Sequence, residues 1–185
     1  MLDFKPIFET HFFSNHHVQA QQAEALLEAQ RPGQECVTFS SFAALVTAVA
    51  DELASKDTPL VCVASSAQTR QTLRSLNLFL QASGRFPVVL DPGAIDPQPH
   101  AQGRPADVLL LAPDGARAEL LDFTGVHPML GSAGVFVSSN AGWCEKVRWA
   151  RSSYGRRGAA QVSIGANGRF SEFQAMLIQQ ALQQG

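Results

Sequence analysis

Short apolar runs alternate with helical periodicities along most of the chain. Glu35-Cys36-Val37-Thr38-Phe39 reads as a strand running into Ser40-Ser41, and Phe42, Leu45, Val46, Val49 and Leu53 then recur on one helical face. Leu60-Val61-Cys62-Val63-Ala64 is a continuous apolar run of strand length, the pattern of a strand covered on both faces. Ser65 and Gln68 have the spacing of a capping box for a helix that carries Leu73, Leu76 and Leu80 and stops at Gly84. Phe86-Pro87-Val88-Val89-Leu90 is the next strand, and the aperiodic stretch 91–105, broken by Pro and Gly, is a loop.

Val108-Leu109-Leu110-Leu111 reads as another buried strand, ended by Pro113-Asp114-Gly115, and Val135-Phe136-Val137 as a further short one. Asn140 suits the N-cap of a helix showing Trp143, Val147, Ala150 and Tyr154 on one side. A second capping box, Ser171 with Gln174, opens a last helix that buries Phe173, Leu177, Ile178 and Ala181. This order of elements predicts one α/β domain over residues 1–185: a three-layer α/β/α fold with right-handed crossovers and a mainly parallel sheet. Its strands lie near 35–39, 60–64, 86–90 and 108–112, and residues 1–18, with no clear period, form an amino-terminal arm.

Composition narrows the partners. With 185 residues and 45% of them hydrophobic, the chain is long enough for a sizeable core. A formal net charge of −2 gives no reason to expect nucleic acid or anionic lipid. No apolar run approaches the ~20 residues that span a bilayer, and the start, Met1-Leu2-Asp3-Phe4-Lys5, lacks the features of a secretion signal. The expectation is a soluble cytoplasmic protein. Cys36, Cys62 and Cys144 have neither metal-ligand nor redox spacing and read as small buried hydrophobes. His11, His16 and His17 are too close in sequence to converge on a metal in most local structures, and no metal site is expected.

In a parallel sheet, ligands gather at the carboxyl ends of the strands, and Ser40-Ser41, Ser65-Ser66 and Ser138-Ser139-Asn140 each occupy such a place. Hydroxyls beside helix N-termini suit a small anionic ligand, and the same residues also serve as plain helix caps. There is no Walker loop and no G-x-S-x-G elbow. Asp122 and His127 are near in sequence but lack a nucleophile to complete a triad.

Four segments, in order, resemble the DegT-like sugar aminotransferases, a family of pyridoxal-phosphate enzymes. Phe39-Ser40-Ser41-Phe42-Ala43-Ala44-Leu45 is similar to the family's S-G-T-A-A-L helix start, and Gly84-Arg85-Phe86-Pro87-Val88-Val89-Leu90-Asp91 to its G-x-x-P-V-x-x-D strand. The stretch from His127-Pro128 to Ser138-Ser139-Asn140 resembles H-P-T-K…G-G-x-x-x-T-N-D. Glu145-Lys146-Val147-Arg148, Tyr154-Gly155 and Gly165-Ala166-Asn167-Gly168-Arg169-Phe170-Ser171-Glu172-Phe173-Gln174-Ala175 resemble K-x-R…G…G-x-N-x-R-M-S-E-x-Q-A. Leu121-Asp122 is weakly similar to the pair whose aspartate holds the cofactor's pyridine nitrogen.

The resemblance implies the large domain of that fold, a role in nucleotide-sugar or surface-polysaccharide synthesis, and a dimer in which Asn167 and Arg169 sit at the subunit boundary. It also implies cofactor contacts, of which Ser40, Ser41, Asp122, His127, Asn167 and Arg169 are the vestigial candidates. The departures bear on chemistry. The family's Schiff-base lysine would follow His127-Pro128, where this chain has Met129-Leu130, and its only lysines are Lys5, Lys56 and Lys146. Phe42 replaces the Gly-Thr that wraps the cofactor phosphate, which removes a hydroxyl and a flexible backbone position, and the chain ends where the family's smaller carboxy-terminal domain would begin. The expectation is a shortened relative with no catalytic residues and no cofactor, working as a homodimer or as partner of a related aminotransferase. The alternative is a pyridoxal-phosphate-dependent enzyme acting on nucleotide sugars.

Overall fold

Strand direction is where the sequence and the structure part. The computed structural model describes residues 18–54, 60–82, 89–90, 106–127, 129–152 and 171–184. In chain order the elements are α1 (Val18–Ala29), β1 (Glu35–Phe39), α2 (Phe42–Glu52), β2 (Val61–Ala64), α3 (Ala67–Ala82) and β3 (Val89–Leu90). They continue with β4 (Val108–Leu111), β5 (Arg117–Asp122), β6 (Gly134–Ser138), α4 (Ala141–Ser152) and α5 (Glu172–Gln184). The strands form one sheet in the order β1-β6-β5-β4-β2-β3.

Every neighbouring pair from β1 across to β2 is antiparallel, and only the two-residue contact of β2 with β3 is parallel. The expected mainly parallel sheet is therefore wrong. β1 and β2 do run the same way, but β6, β5 and β4 lie between them. The physical reason is that a continuous apolar strand reports burial on both faces, and helices on both sides of an antiparallel sheet supply that burial equally well. β5 breaks the expectation most directly. It pairs with β4 as a hairpin, Val108 opposite Leu120 and Leu111 opposite Arg117, closed by Pro113-Asp114-Gly115 with Gly115 at φ +86°. The Ala116 amide donates to the Asp114 side chain there, and a positive φ suits glycine.

One face of the sheet carries α2, α3 and α4. Val37 and Phe39 of β1, Cys62 of β2, Val108 and Leu110 of β4, Ala118 and Leu120 of β5 and Phe136 of β6 meet Leu45, Val49, Leu73, Leu80, Cys144 and Val147 from the helices. The other face carries α1 and α5, where Cys36, Leu121, Val135 and Val137 meet Ala20, Ala23, Leu27, Ala175, Leu177 and Ile178. Gly134 opens β6 under the start of α2; a Cβ there would lie 3.1 Å from the Phe42 backbone, tighter than ordinary contact, so a side chain would need the helix start to shift by a few tenths of an ångström. Among the described residues no helix is long and apolar enough to cross a membrane.

Candidate functional site

The antiparallel order separates stretches that a parallel sheet would have gathered. Ser40-Ser41 follows β1, Ser65-Ser66 follows β2 and Asp122 ends β5, and these three strands run the same way. β6 runs against them, so Ser138-Ser139-Asn140 lies at the opposite end of the sheet. The three candidate stretches cannot form one anion site. The loop before β6, and Asp107 just ahead of β4, join the first group instead.

At that shared end the polar side chains serve the backbone. Ser41 N-caps α2, its Oγ accepting from the Ala44 amide at 3.0 Å. The cap of α3 is Ser66, whose Oγ accepts from the Thr69 amide at 3.0 Å, one residue beyond the expected Ser65–Gln68 pair. Asp122 accepts from the Thr124 amide at 2.8 Å, while its own amide donates to the Asp107 carboxylate at 2.7 Å. Ser132 Oγ receives the Phe42 amide at 3.3 Å and lies 3.1 Å from Thr124 Oγ1.

Gln174 closes the group. The Ser171–Gln174 capping box forms as expected, the Gln174 amide donating to Ser171 Oγ at 3.1 Å and the Ser171 amide to Gln174 Oε1 at 3.3 Å. The same glutamine uses Nε2 to donate to the carbonyls of Ser40 and Ser132, each at 2.9 Å. It thus ties α5 to the β1–α2 turn and to the loop before β6.

Elsewhere the candidates are equally committed. The His127 Nδ1 accepts from the Met129 amide at 3.1 Å. Asn140 caps α4 by accepting from the Trp143 amide at 3.1 Å. Asn167 and Arg169 lie outside the described residues, as do His11, His16, His17 and the arm through residue 17. Among the described residues no group of His, Cys, Asp and Glu is arranged to hold a metal. Burial pushes the Cys62 thiol up to about 12 and the Cys144 thiol to about 11, and raises Cys36 further still, so these cysteines carry no nucleophilic thiolate near neutral pH.

Of the residues implied to hold pyridoxal phosphate, Ser41, Asp122 and His127 meet this chain's own amides, and Asn167 and Arg169 lie outside the described residues. The Ser41 hydroxyl and the Asp122 carboxylate that would hold its phosphate and its ring are bound to this chain's own amides. Phe42 is buried in the core, Leu130 is buried beside β6, and Lys146 is exposed on α4, which starts from the far end of the sheet. The absence of an amine at 129–130 is legible in the sequence; the engagement of the hydroxyls is not.

The structure also brings together polar residues that the periodicity does not single out. Glu24, Glu28, Arg31, Glu119 and Arg151 converge around α1 and β1. Glu24 is ion-paired with Arg151, and Arg31 Nε lies 3.7 Å from Glu119 Oε2 with both side chains almost fully buried. The one available signal was the four-residue spacing of Glu24 and Glu28 on a helix. No family model matches the chain, and no curated protein or solved structure is significantly similar to it.

Proposed function

We propose that this chain is a non-catalytic binding or assembly protein, acting in the cytoplasm as a homodimer or as the partner of a related aminotransferase. Its resemblance to DegT-like sugar aminotransferases points to nucleotide-sugar or surface-polysaccharide synthesis. The observation that carries the reading is the use of Ser41 and Asp122, two of the cofactor candidates among the described residues, as backbone caps. Accepting the Ala44 amide gives the Ser41 hydroxyl a structural role as the cap of α2, one that needs no ligand. The want of a lysine near His127 supports the same conclusion, because the covalent step of the family depends on that amine.

The apolar face of α5 contributes less to this reading than its sequence suggests. Leu177 and Ile178 are fully buried against α1 and the sheet, and Glu172, 4% exposed, accepts the Gln19 amide at 2.7 Å. Asn167 and Arg169, which the resemblance puts at the subunit boundary, lie outside the described residues.

The test is a visible-range titration with pyridoxal phosphate, borohydride trapping with mass spectrometry, and an amino-transfer assay on a nucleotide keto-sugar. The expected result is no Schiff-base band, no adduct on Lys5, Lys56 or Lys146, and no transfer. An adduct with turnover would establish the enzyme alternative and overturn the proposal.

A further inference from the structure

Among the described residues β1 is an edge strand, yet three of its outward backbone groups are answered. Its inner side pairs with β6. On its outer side the Cys36 amide donates to Glu28 Oε1 at 2.9 Å and the Thr38 amide donates to Glu24 Oε1 at 2.8 Å. Arg151 Nη1 donates to the Thr38 carbonyl at 3.2 Å while ion-paired with the same Glu24 oxygen. Two carboxylates take the place of a neighbouring strand's carbonyls, and a guanidinium takes the place of its amide.

The match has a geometric basis. Four residues of helix rise by about 6 Å, and two residues of strand advance by about 6.7 Å. Glu24 and Glu28 therefore fall in step with alternate outward amides of a strand lying alongside. Arg151 comes from α4, on the opposite face of the sheet from α1, so its pairing with Glu24 reaches around the edge and joins the two helical layers.

We propose that α1 and Arg151 are a guard that keeps β1 from pairing with the β1 of a second copy. Glu-Cys-Val-Thr-Phe itself contains neither proline nor lysine, the usual means of blunting an edge. Its outward donors and acceptor repeat on every copy, and antiparallel pairing about a two-fold axis satisfies both strands with one surface. The guard answers the hazard from outside the strand. This inference does not depend on the functional reading above.

The experiment compares sedimentation of the full chain with that of variants checked for native helix content by circular dichroism. Glu28→Ala removes one acceptor and leaves the Glu24–Arg151 pair intact; Glu24→Ala with Glu28→Ala removes both. The expected result is concentration-dependent association of folded Glu28→Ala, and a mass at least twice that of the wild type for the double variant. Glu24→Gln with Glu28→Gln keeps an acceptor oxygen at each place and should sediment as the wild type does. Adding Thr38→Pro to the alanine pair deletes an outward amide and should restore wild-type size, which aggregation of an unfolded chain would not do. Folded Glu28→Ala at wild-type size, or association that survives Thr38→Pro, would overturn the proposal.

Discussion

The two faces of this sheet are assembled by different physics. Under α2, α3 and α4 the buried side chains are almost all apolar, from Val37 and Phe39 through Leu45 and Val49 to Phe136 and Val147. Under α1 and α5 the apolar contacts are interleaved with buried or nearly buried polar groups: Gln19, Glu24, Arg31, Thr38, Glu119 and Glu172. An apolar face is tolerant of detail, because hydrophobic contact is non-directional and scales with area. The other face is specified by pairs, since each buried charge is costly unless its partner arrives in the right place. Removing one partner should therefore hurt the second face in a way that is rescued by removing the other; a core truncation in the first face has no such rescue.

Glu24→Ala is the largest expected effect. It strands Arg151 and the Thr38 amide together, and loss of one member of a buried pair costs about 3–5 kcal/mol. Urea unfolding should show this loss, with part of it recovered when Arg151→Ala is added; additive losses would mean that the pair is not coupled. Leu45→Ala should cost about 2–5 kcal/mol through lost transfer energy and a residual cavity. Combined with Glu24→Ala it should be additive, because the two sites have no partner in common.

A smaller effect follows from the buried thiols. Burial raises Cys62 from 9.0 to about 12, so the folded state retains a proton that the unfolded state loses first. Its contribution to stability is complete below pH 9 and declines as the pH rises towards about 12. The slope in that window approaches about 1.4 kcal/mol per pH unit. Cys62→Ala should flatten the fall of stability between pH 9 and 10, and an unchanged slope would show that the thiol does not contribute to it. The smallest change expected is Arg148→Ala, whose 3.2 Å contact with Glu35 joins two substantially exposed side chains. It should cost at most about 1 kcal/mol, and less as salt is added.

Legibility follows the same division. β1, α2, β2, β4 and β6 coincide with apolar runs or periodicities that are plain in the chain, and most of them contribute to the apolar face. β5 and α1 were not legible, for one reason. Arg117-Ala118-Glu119-Leu120-Leu121-Asp122 has a carboxylate at mid-strand, and that carboxylate is buried with Arg31 lying against it. α1 buries Ala20, Ala23 and Leu27 alongside Gln19 and Glu24, so its inward face looks polar until its partners are known. Both elements depend on residues far away in sequence. The candidate site was legible as a set of helix caps; its division between the two ends of the sheet was not.

Residue types and their spacing were enough to set where most strands and helices form, which side chains are apolar enough to be buried, and that Met129-Leu130, not a lysine, comes directly after His127-Pro128. Those are local or compositional properties, and each can be read within a turn of helix or a few residues of strand. Strand direction and order, the engagement of Ser41 and Asp122, and the sealing of β1 by Glu24, Glu28 and Arg151 were decided only on folding. A hydrophobic run is equally satisfied beside a parallel or an antiparallel neighbour, whereas a backbone amide or a buried charge is satisfied only by the particular atom that reaches it.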